Sequence, residues 1–480
     1  MEPISEQSHA SLLSKLLLSK LSHIMWSCTL FFVASSELFL ILQKLEPKLH
    51  FLPLCFLLTC FLLKWLLSRP SPVYIVDFSC LKPPNYCRVP FAAFIENASQ
   101  FKLFEPKSLT FMAKALQASG QSENTYLPSP LHFIPPKTDQ NEAIREVHKL
   151  LFPIIDDLFA KTNVSPIDID ILIVNCSCFC PSPSLSSIVI NKYSMRSDVK
   201  SFHISGSGCS ASALGIDMAQ RLLRVHKNST AMVLSTEILS TGWYTGNEIP
   251  KLILNCIFRM GSAAILLSNK NELKKNAKYR VLRTLRTQSA FLDDGYLSAI
   301  LEEDSVGKRG FSVRKNVLHV AREALRSNIT ALGYQVLPLS ETLRYVVSLF
   351  KLRILKKDSK GKGIYVPNFM SVIQHICLPC TGMSVIRETG KALRLSERDI
   401  EPALATMHRF GNQSSSSLWY ELAYLEAKQR VKKGDTVWLL GMGSGPKCTS
   451  VLLKSVTPLS GEPNNAPWAD CIQHYPLLIH

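Results

Sequence analysis

From Pro70 onward the apolar residues fall into short runs, separated by longer stretches in which they recur every three or four positions. The runs at 169–174, 230–234, 263–267 and 436–440 predict strands, and the stretches between them predict helices. Lys200-Ser201-Phe202-His203-Ile204 reads as a further short strand. Beyond it, Ala213, Leu214, Ile216, Met218, Leu222 and Leu223 cover nearly every face of a helix running to about His226, so this helix is expected inside the protein. Another helix is predicted over 418–431, with Leu418, Leu422 and Leu425 on one face, serines at 414–417 as cap candidates and Gly434 as a stop. Such alternation predicts an α/β protein of layered sheets and helices. The stretch from Thr457 onward, rich in Pro, Asn and Gly, reads as irregular and surface-lying.

Before Pro70 the pattern changes. Residues 24–42 and 51–67 are almost uninterrupted apolar runs of about the length a membrane-spanning helix needs. They predict a hairpin of two transmembrane helices within an N-terminal region 1–70, with two buried core helices as the alternative. Lys64 lies near the end of its run and can snorkel, whereas Glu37 lies deeper and needs a partner or a tilt. Lys15 and Lys20 precede the pair, Lys44 and Lys48 lie between, and Arg69, Lys82 and Arg88 follow, which places both outer flanks in the cytosol.

With 480 residues and 46% hydrophobic content the chain can hold two domains or one large duplicated one. A formal charge of +17 points to an anionic partner. The densest basic cluster is Lys351, Arg353, Lys356, Lys357, Lys360 and Lys362, and no nucleic-acid motif accompanies it. A membrane surface or a phosphate-bearing ligand is therefore expected, and no nucleic acid; a solvated loop is the alternative for the cluster. Several of the 14 cysteines lie inside apolar strand or helix patterns, which suits reduced thiols in a cytosol-facing domain. Cys176, Cys178 and Cys180 alternate along a strand end, and Cys377 and Cys380 lack a matched second pair, so no metal site is expected.

The chemistry centres on Cys209, which stands where the 200–204 strand turns into the buried helix. Gly206 and Gly208 permit a tight turn, and the helix N-terminus aims unpaired N–H groups at the sulfur, which favours thiolate. A buried structural cysteine is the alternative. A second patch, Met407-His408-Arg409-Phe410-Gly411-Asn412-Gln413, sets His408 and Asn412 around a glycine turn just before a helix.

Several stretches together resemble the plant 3-ketoacyl-CoA synthases, the membrane-bound condensing enzymes of very-long-chain fatty acid elongation. They are Val174-Asn175-Cys176-Ser177, Pro181-Ser182-Pro183-Ser184-Leu185-Ser186, Asn191-Lys192-Tyr193, Gly208-Cys209-Ser210-Ala211, Leu234-Ser235-Thr236-Glu237, 250–268, 408–424 and Gly443-Ser444-Gly445. The resemblance implies a thiolase-like fold of two βαβαβ-type halves in α-β-α-β-α layers, the nucleophile in 71–275, its helpers in 276–456, and a tail 457–480. It also implies long-chain acyl-CoA and malonyl-CoA as substrates with no further cofactor. Other elongase components are the implied partners, in a homo- or heterodimer at the endoplasmic reticulum membrane with the globular part cytosolic.

In this family an acyl group moves from CoA to the cysteine, and the enolate of decarboxylated malonyl-CoA then attacks it. A His and an Asn stabilise the enolate oxygen. Asn412 matches the Asn, and His408 matches a histidine of the same motif. The other donor is absent: the family's Cys-Ile-His-Ala-Gly-Gly is here Cys377-Leu378-Pro379-Cys380-Thr381-Gly382, and its Arg-Thr-His is Arg286-Thr287-Gln288. Impaired condensation with a regulatory or partner role is therefore expected. The alternative is an active enzyme in which His375, or His408 with Asn412, replaces the lost donor.

Overall fold

The computed structural model describes residues 71–354, 365–458 and 466–476. The chain divides into two units, Met1–Pro70 and Ser71–His480. Both apolar runs, and with them the expected hairpin, lie outside the described residues, as does the basic cluster from Lys356 to Lys362. Among the described residues no helix is long and apolar enough to cross a membrane.

In the second unit, β1 (Tyr74–Cys80), β2 (Ile171–Asn175), β3 (Lys200–Ile204), β4 (Thr230–Thr236) and β5 (Ser262–Ser268) lie in the order β3-β2-β4-β5-β1. The strands β2, β3 and β4 are parallel, whereas β5 runs antiparallel to both β4 and β1. A second group is built from β6 (Tyr279–Gln288), β9 (His375–Cys377), β10 (Thr436–Gly443) and β11 (Lys447–Ser455), in the order β6-β11-β10-β9, and a small hairpin of β7 (Ala299–Glu303) and β8 (Arg309–Val313) lies between β6 and β9 in the chain. Tyr74 opposite Arg280 and Ile75 opposite Tyr279 join the groups into one nine-stranded sheet. The halves are thus less alike than expected, because the second reaches its sheet edge at the short β9.

Burial explains the apolar runs. Every residue of β2, β4 and β5 is buried, as strands covered by helices on both faces must be. The Gln140–Thr162 helix covers β1, β4 and β5 from outside, and Val317–Val336 covers β6 and β11. Between the groups lie Ala211–Val225, touching β2, β4, β6, β10 and β11, and Ser417–Ala427, touching β1, β9 and β10. This is the α-β-α-β-α layering. Gly215 lets the central helix approach β4: a Cβ there would lie 2.8 Å from Val233 Cγ1. The buried carboxylate of Asp217 ties the same helix to Arg286 of β6 at 2.9 Å.

The predicted strands and the buried helix stand within a few residues of their expected bounds, and the predicted 418–431 helix is Ser417–Ala427. The tail differs from expectation. Trp468 is fully buried, its indole N–H donates to the Tyr420 carbonyl at 2.8 Å, and its ring stands edge-on to Phe410 and Tyr424. The described part, 466–476, is irregular as expected but is pinned into the core by Trp468, with Cys471 and Tyr475, because one large aromatic outweighs a loop-like composition. Trp468→Ala is expected to cost about 3–5 kcal/mol of stability. Chemical denaturation of the purified full chain checks it, and an unchanged midpoint would mean that the tail contributes nothing.

Candidate active site

Two glycine turns clasp the nucleophile. Cys209 lies in a single 3-10 turn, Gly208–Ser210, one residue ahead of the Ala211–Val225 helix. Gly208 has φ +54, and a Cβ there would meet Ser444 N at 2.9 Å. A Cβ on Gly443 would lie 2.0 Å from the Ser207 carbonyl oxygen, so the turns pack backbone on backbone. The Gly208 N–H donates to Ser177 Oγ at 2.9 Å, which fixes the elbow to the end of β2.

Asn412 and Ser414 arrive from the second half beside the Cys209 turn, where both favour the thiolate over the thiol. Asn412 Oδ1 accepts the Ser414 N–H at 2.8 Å, which leaves its amide N–H groups to face the sulfur. Ser414 Oγ also lies 3.1 Å from Glu237 Oε2. Its one proton serves either the carboxylate or the thiol. Glu237 is buried, and its Oε1 accepts the Ser177 and Cys178 N–H groups at 2.8 and 2.6 Å. Burial pushes its carboxyl above the usual range despite these bonds.

Burial likewise pushes the Cys209 thiol up to about 11, with Glu237 adding to the effect and the Ser414 and Asn412 bonds opposing it. Cys209 itself is half-buried, and the desolvation that raises its thiol works against the helix N-terminus expected to favour thiolate. Beside Glu237 and Cys178 lies a small, mainly apolar cavity of about 20 Å³, with Leu239, Trp243 and Phe258 in its wall.

The two histidines point elsewhere. His375 begins β9, and its Nε2 lies 3.0 Å from Asp435 Oδ2, just before β10. The strand β10 then runs to Gly441, where a Cβ would lie 3.2 Å from Ser210 Cα. His375 lies opposite Val437, so at about 3.3 Å per residue roughly 13 Å of strand separates it from Gly441 and the Cys209 turn. Extended chain, not a helical turn, separates His375 from Pro379. His408, in the Glu397–Phe410 helix, bonds Tyr475 OH through Nδ1 at 2.9 Å. Burial and the neighbouring Arg409 lower its pKa.

Pro379 is the residue that borders the site. It is buried between Leu378, whose N–H donates to Glu421 Oε2 at 2.8 Å, and Cys380, whose Sγ lies 3.6 Å from the Gly411 carbonyl oxygen. Gln288 ends β6 in an exposed position opposite Lys447, beside the 443–445 turn.

Residues 65–354 match the family described as FAE1/Type III polyketide synthase-like protein, and residues 370–455 match the 3-oxoacyl-[acyl-carrier-protein] synthase III C-terminal family. The chain is 45% identical over 415 residues to 3-ketoacyl-CoA synthase 6 of Arabidopsis thaliana, covering 86% of this chain and 83% of that protein. It is 43% identical to 3-ketoacyl-CoA synthase 5 of the same plant, covering 92% and 89%. The chain belongs to the plant 3-ketoacyl-CoA synthase family. Among solved structures, 1,3,6,8-tetrahydroxynaphthalene synthase from Streptomyces coelicolor A3(2) superposes with a TM-score of 0.61 over 80% of this chain and 99% of that one, at 16% identity. PKS-I from the brown alga Ectocarpus siliculosus gives a TM-score of 0.61 at 15% identity, covering 81% and 100%. These two show the thiolase-type fold.

For a synthase-family site, two contributors escaped the sequence reading. Glu237 and Ser414 both stood inside the matched motifs. The available signal for Glu237 was a carboxylate just past the carboxyl end of an otherwise apolar parallel strand, where α/β folds place their sites.

A thiol titrating at about 11 is ionised at pH 7 in roughly one molecule in ten thousand. Alkylation of Cys209 by iodoacetamide, followed by mass mapping, should therefore quicken about tenfold per unit between about pH 7 and pH 10. Ser414→Ala removes a bond to the thiolate, raises the pKa further and slows the reaction. A rate independent of pH across this range would mean a preformed thiolate.

Proposed function

We propose that this chain is a 3-ketoacyl-CoA synthase-type protein that takes a long acyl group onto Cys209 but condenses it poorly with malonyl-CoA. The observation that carries the reading is the convergence of Cys209 and Asn412 beside a buried Pro379. In the first step the Cys209 sulfur attacks the acyl-CoA carbonyl. A thioester to cysteine forms, the bond to CoA sulfur breaks, and the thiol proton ends on the departing CoA.

In the second step malonyl-CoA loses carbon dioxide, and its enolate carbon bonds to the acyl carbon as the cysteine sulfur leaves. The product is 3-oxoacyl-CoA. Negative charge on the malonyl thioester oxygen needs preorganised donors, and Asn412 is one. Proline at 379 offers neither a side-chain donor nor an N–H. Losing one such donor costs about two to three orders of magnitude in rate. His375 and His408, held by Asp435 and Tyr475, give no support to a substitute donor.

A protein that binds acyl chains without turning them over suits a regulatory or partner role beside active elongase components, as one member of a homo- or heterodimer. The apolar runs 24–42 and 51–67 support an anchor in the endoplasmic reticulum membrane with the globular part cytosolic. Protease treatment of intact microsomes should then digest the chain after Pro70. Full protection would reverse the topology.

Pro379→His should raise malonyl-CoA decarboxylation and 3-oxoacyl-CoA formation, more so with Gln288→His added. The gain is bounded by the about 3 kcal/mol that one well-placed donor is worth. Pro379→Ala, which frees the backbone without adding a donor, is the control. An equal gain in both variants, or wild-type turnover matching an intact family member, would replace this reading with that of an active enzyme.

A further inference from the structure

The Leu339–Ile354 helix turns its polar side inward. Glu341 is buried, and its Oε2 accepts the Tyr365 hydroxyl at 2.8 Å and the Asn368 N–H at 3.0 Å. Ser348 Oγ accepts the Tyr365 N–H at 3.1 Å, and the Tyr345 ring stands edge-on to Tyr334 with centroids 6.4 Å apart. At about 100° per residue, Glu341, Tyr345 and Ser348 share one side of the helix. These contacts hold that side to the folded body.

The opposite side is apolar and faces outward. Leu339, Leu343, Val346, Val347 and Phe350 form one stripe about 100° wide, with exposures from 38% at Val346 to 73% at Leu339. A surface helix ordinarily buries such a stripe and gives its polar side to water. This one does the reverse.

Charge says what covers the stripe. In sequence the helix leads into Lys351, Arg353, Lys356, Lys357, Lys360 and Lys362, six basic residues against the single acid Asp358. An apolar stripe next to a dense basic segment is the pattern of a helix lying in the headgroup layer of an anionic bilayer, with its apolar side chains at the acyl boundary. A second copy of this chain would bring the same cations against each other, which opposes pairing through this face.

We propose that the 339–350 face docks on the surface of an anionic lipid bilayer. The contact belongs to the folded body, is separate from the apolar runs before Pro70, and requires neither acyl transfer nor condensation. It fixes which face of the body lies against the membrane.

The test puts a benzophenone-bearing amino acid in place of Phe350 in the full-length protein. The protein is reconstituted in nanodiscs of phosphatidylcholine, alone or with phosphatidylserine, and photoadducts are mapped by mass. A lipid adduct at 350 is expected, roughly fivefold more abundant with phosphatidylserine and reduced by high salt. Adding Leu343→Glu, which sets a charge in the middle of the stripe, should lower the adduct about tenfold. Thermal melts establish that each variant folds. The same probe in place of Val225, an exposed residue outside this helix, should capture far less lipid. Chains retained in the nanodiscs with no lipid adduct at 350, equal lipid adducts at 225 and 350, or an adduct at 350 to a second copy or to segment 1–70 would each overturn the contact while leaving the N-terminal anchor standing.

Discussion

A buried polar seam between the two halves holds this protein to its chemistry. The serines at 414–417 enter the interior as a turn, and all four are buried. Ser415 is met by Asn175 Nδ2 at 2.7 Å and by Ser235 Oγ at 2.7 Å, and its carbonyl accepts from Ser212 Oγ at 2.6 Å. Ser414 is met by Glu237, and Ser416 donates to the Ser235 carbonyl. Each such group left unpaired in the interior would cost about 1–3 kcal/mol. Few placements of one half on the other satisfy all of them. The placement that does sets Asn412 and Ser414 against the Cys209 sulfur.

The burial that makes the seam specific also dries the thiol. Desolvation raises the half-buried Cys209 thiol, and Ser414, Asn412 and its own backbone N–H work against that shift. Glu421, from the helix that follows the seam, is buried as well and pushed well above the usual carboxylate range. One of its oxygens accepts the Leu378 N–H, and the other has no hydrogen-bond partner. The backbone carrying Pro379 is therefore positioned by a bond that does not involve the side chain at 379. That separation lets the scaffold hold whichever side chain stands at 379.

Much of the fold was legible in the order of residues. Strand runs such as 230–234 are apolar because helices cover both faces, and the alternation of strands with helices follows from that burial. The elbow at Cys209 was legible because glycines at 206 and 208 mark a turn that few other residues tolerate. Less legible was anything that depends on a partner distant in sequence. The serines at 414–417 have the chemistry of helix caps, and only the presence of Asn175 and Ser235 makes them a seam. The tail has the composition of a loop, and only the space beside Phe410 and Tyr424 makes Trp468 core.

The sequence by itself determined the family and singled out Cys209, Asn412 and Pro379 as the positions to examine, because each rests on residue identity within a short local pattern. Tertiary structure alone decided which side chains lie beside the sulfur and which way they push its titration. His375 and His408 lie as near to the motifs in sequence as Asn412 does, yet one is at the far end of a strand and the other faces the tail. The physical reason is that hydrogen bonding and desolvation act over a few ångströms in space, a distance that chain order does not carry.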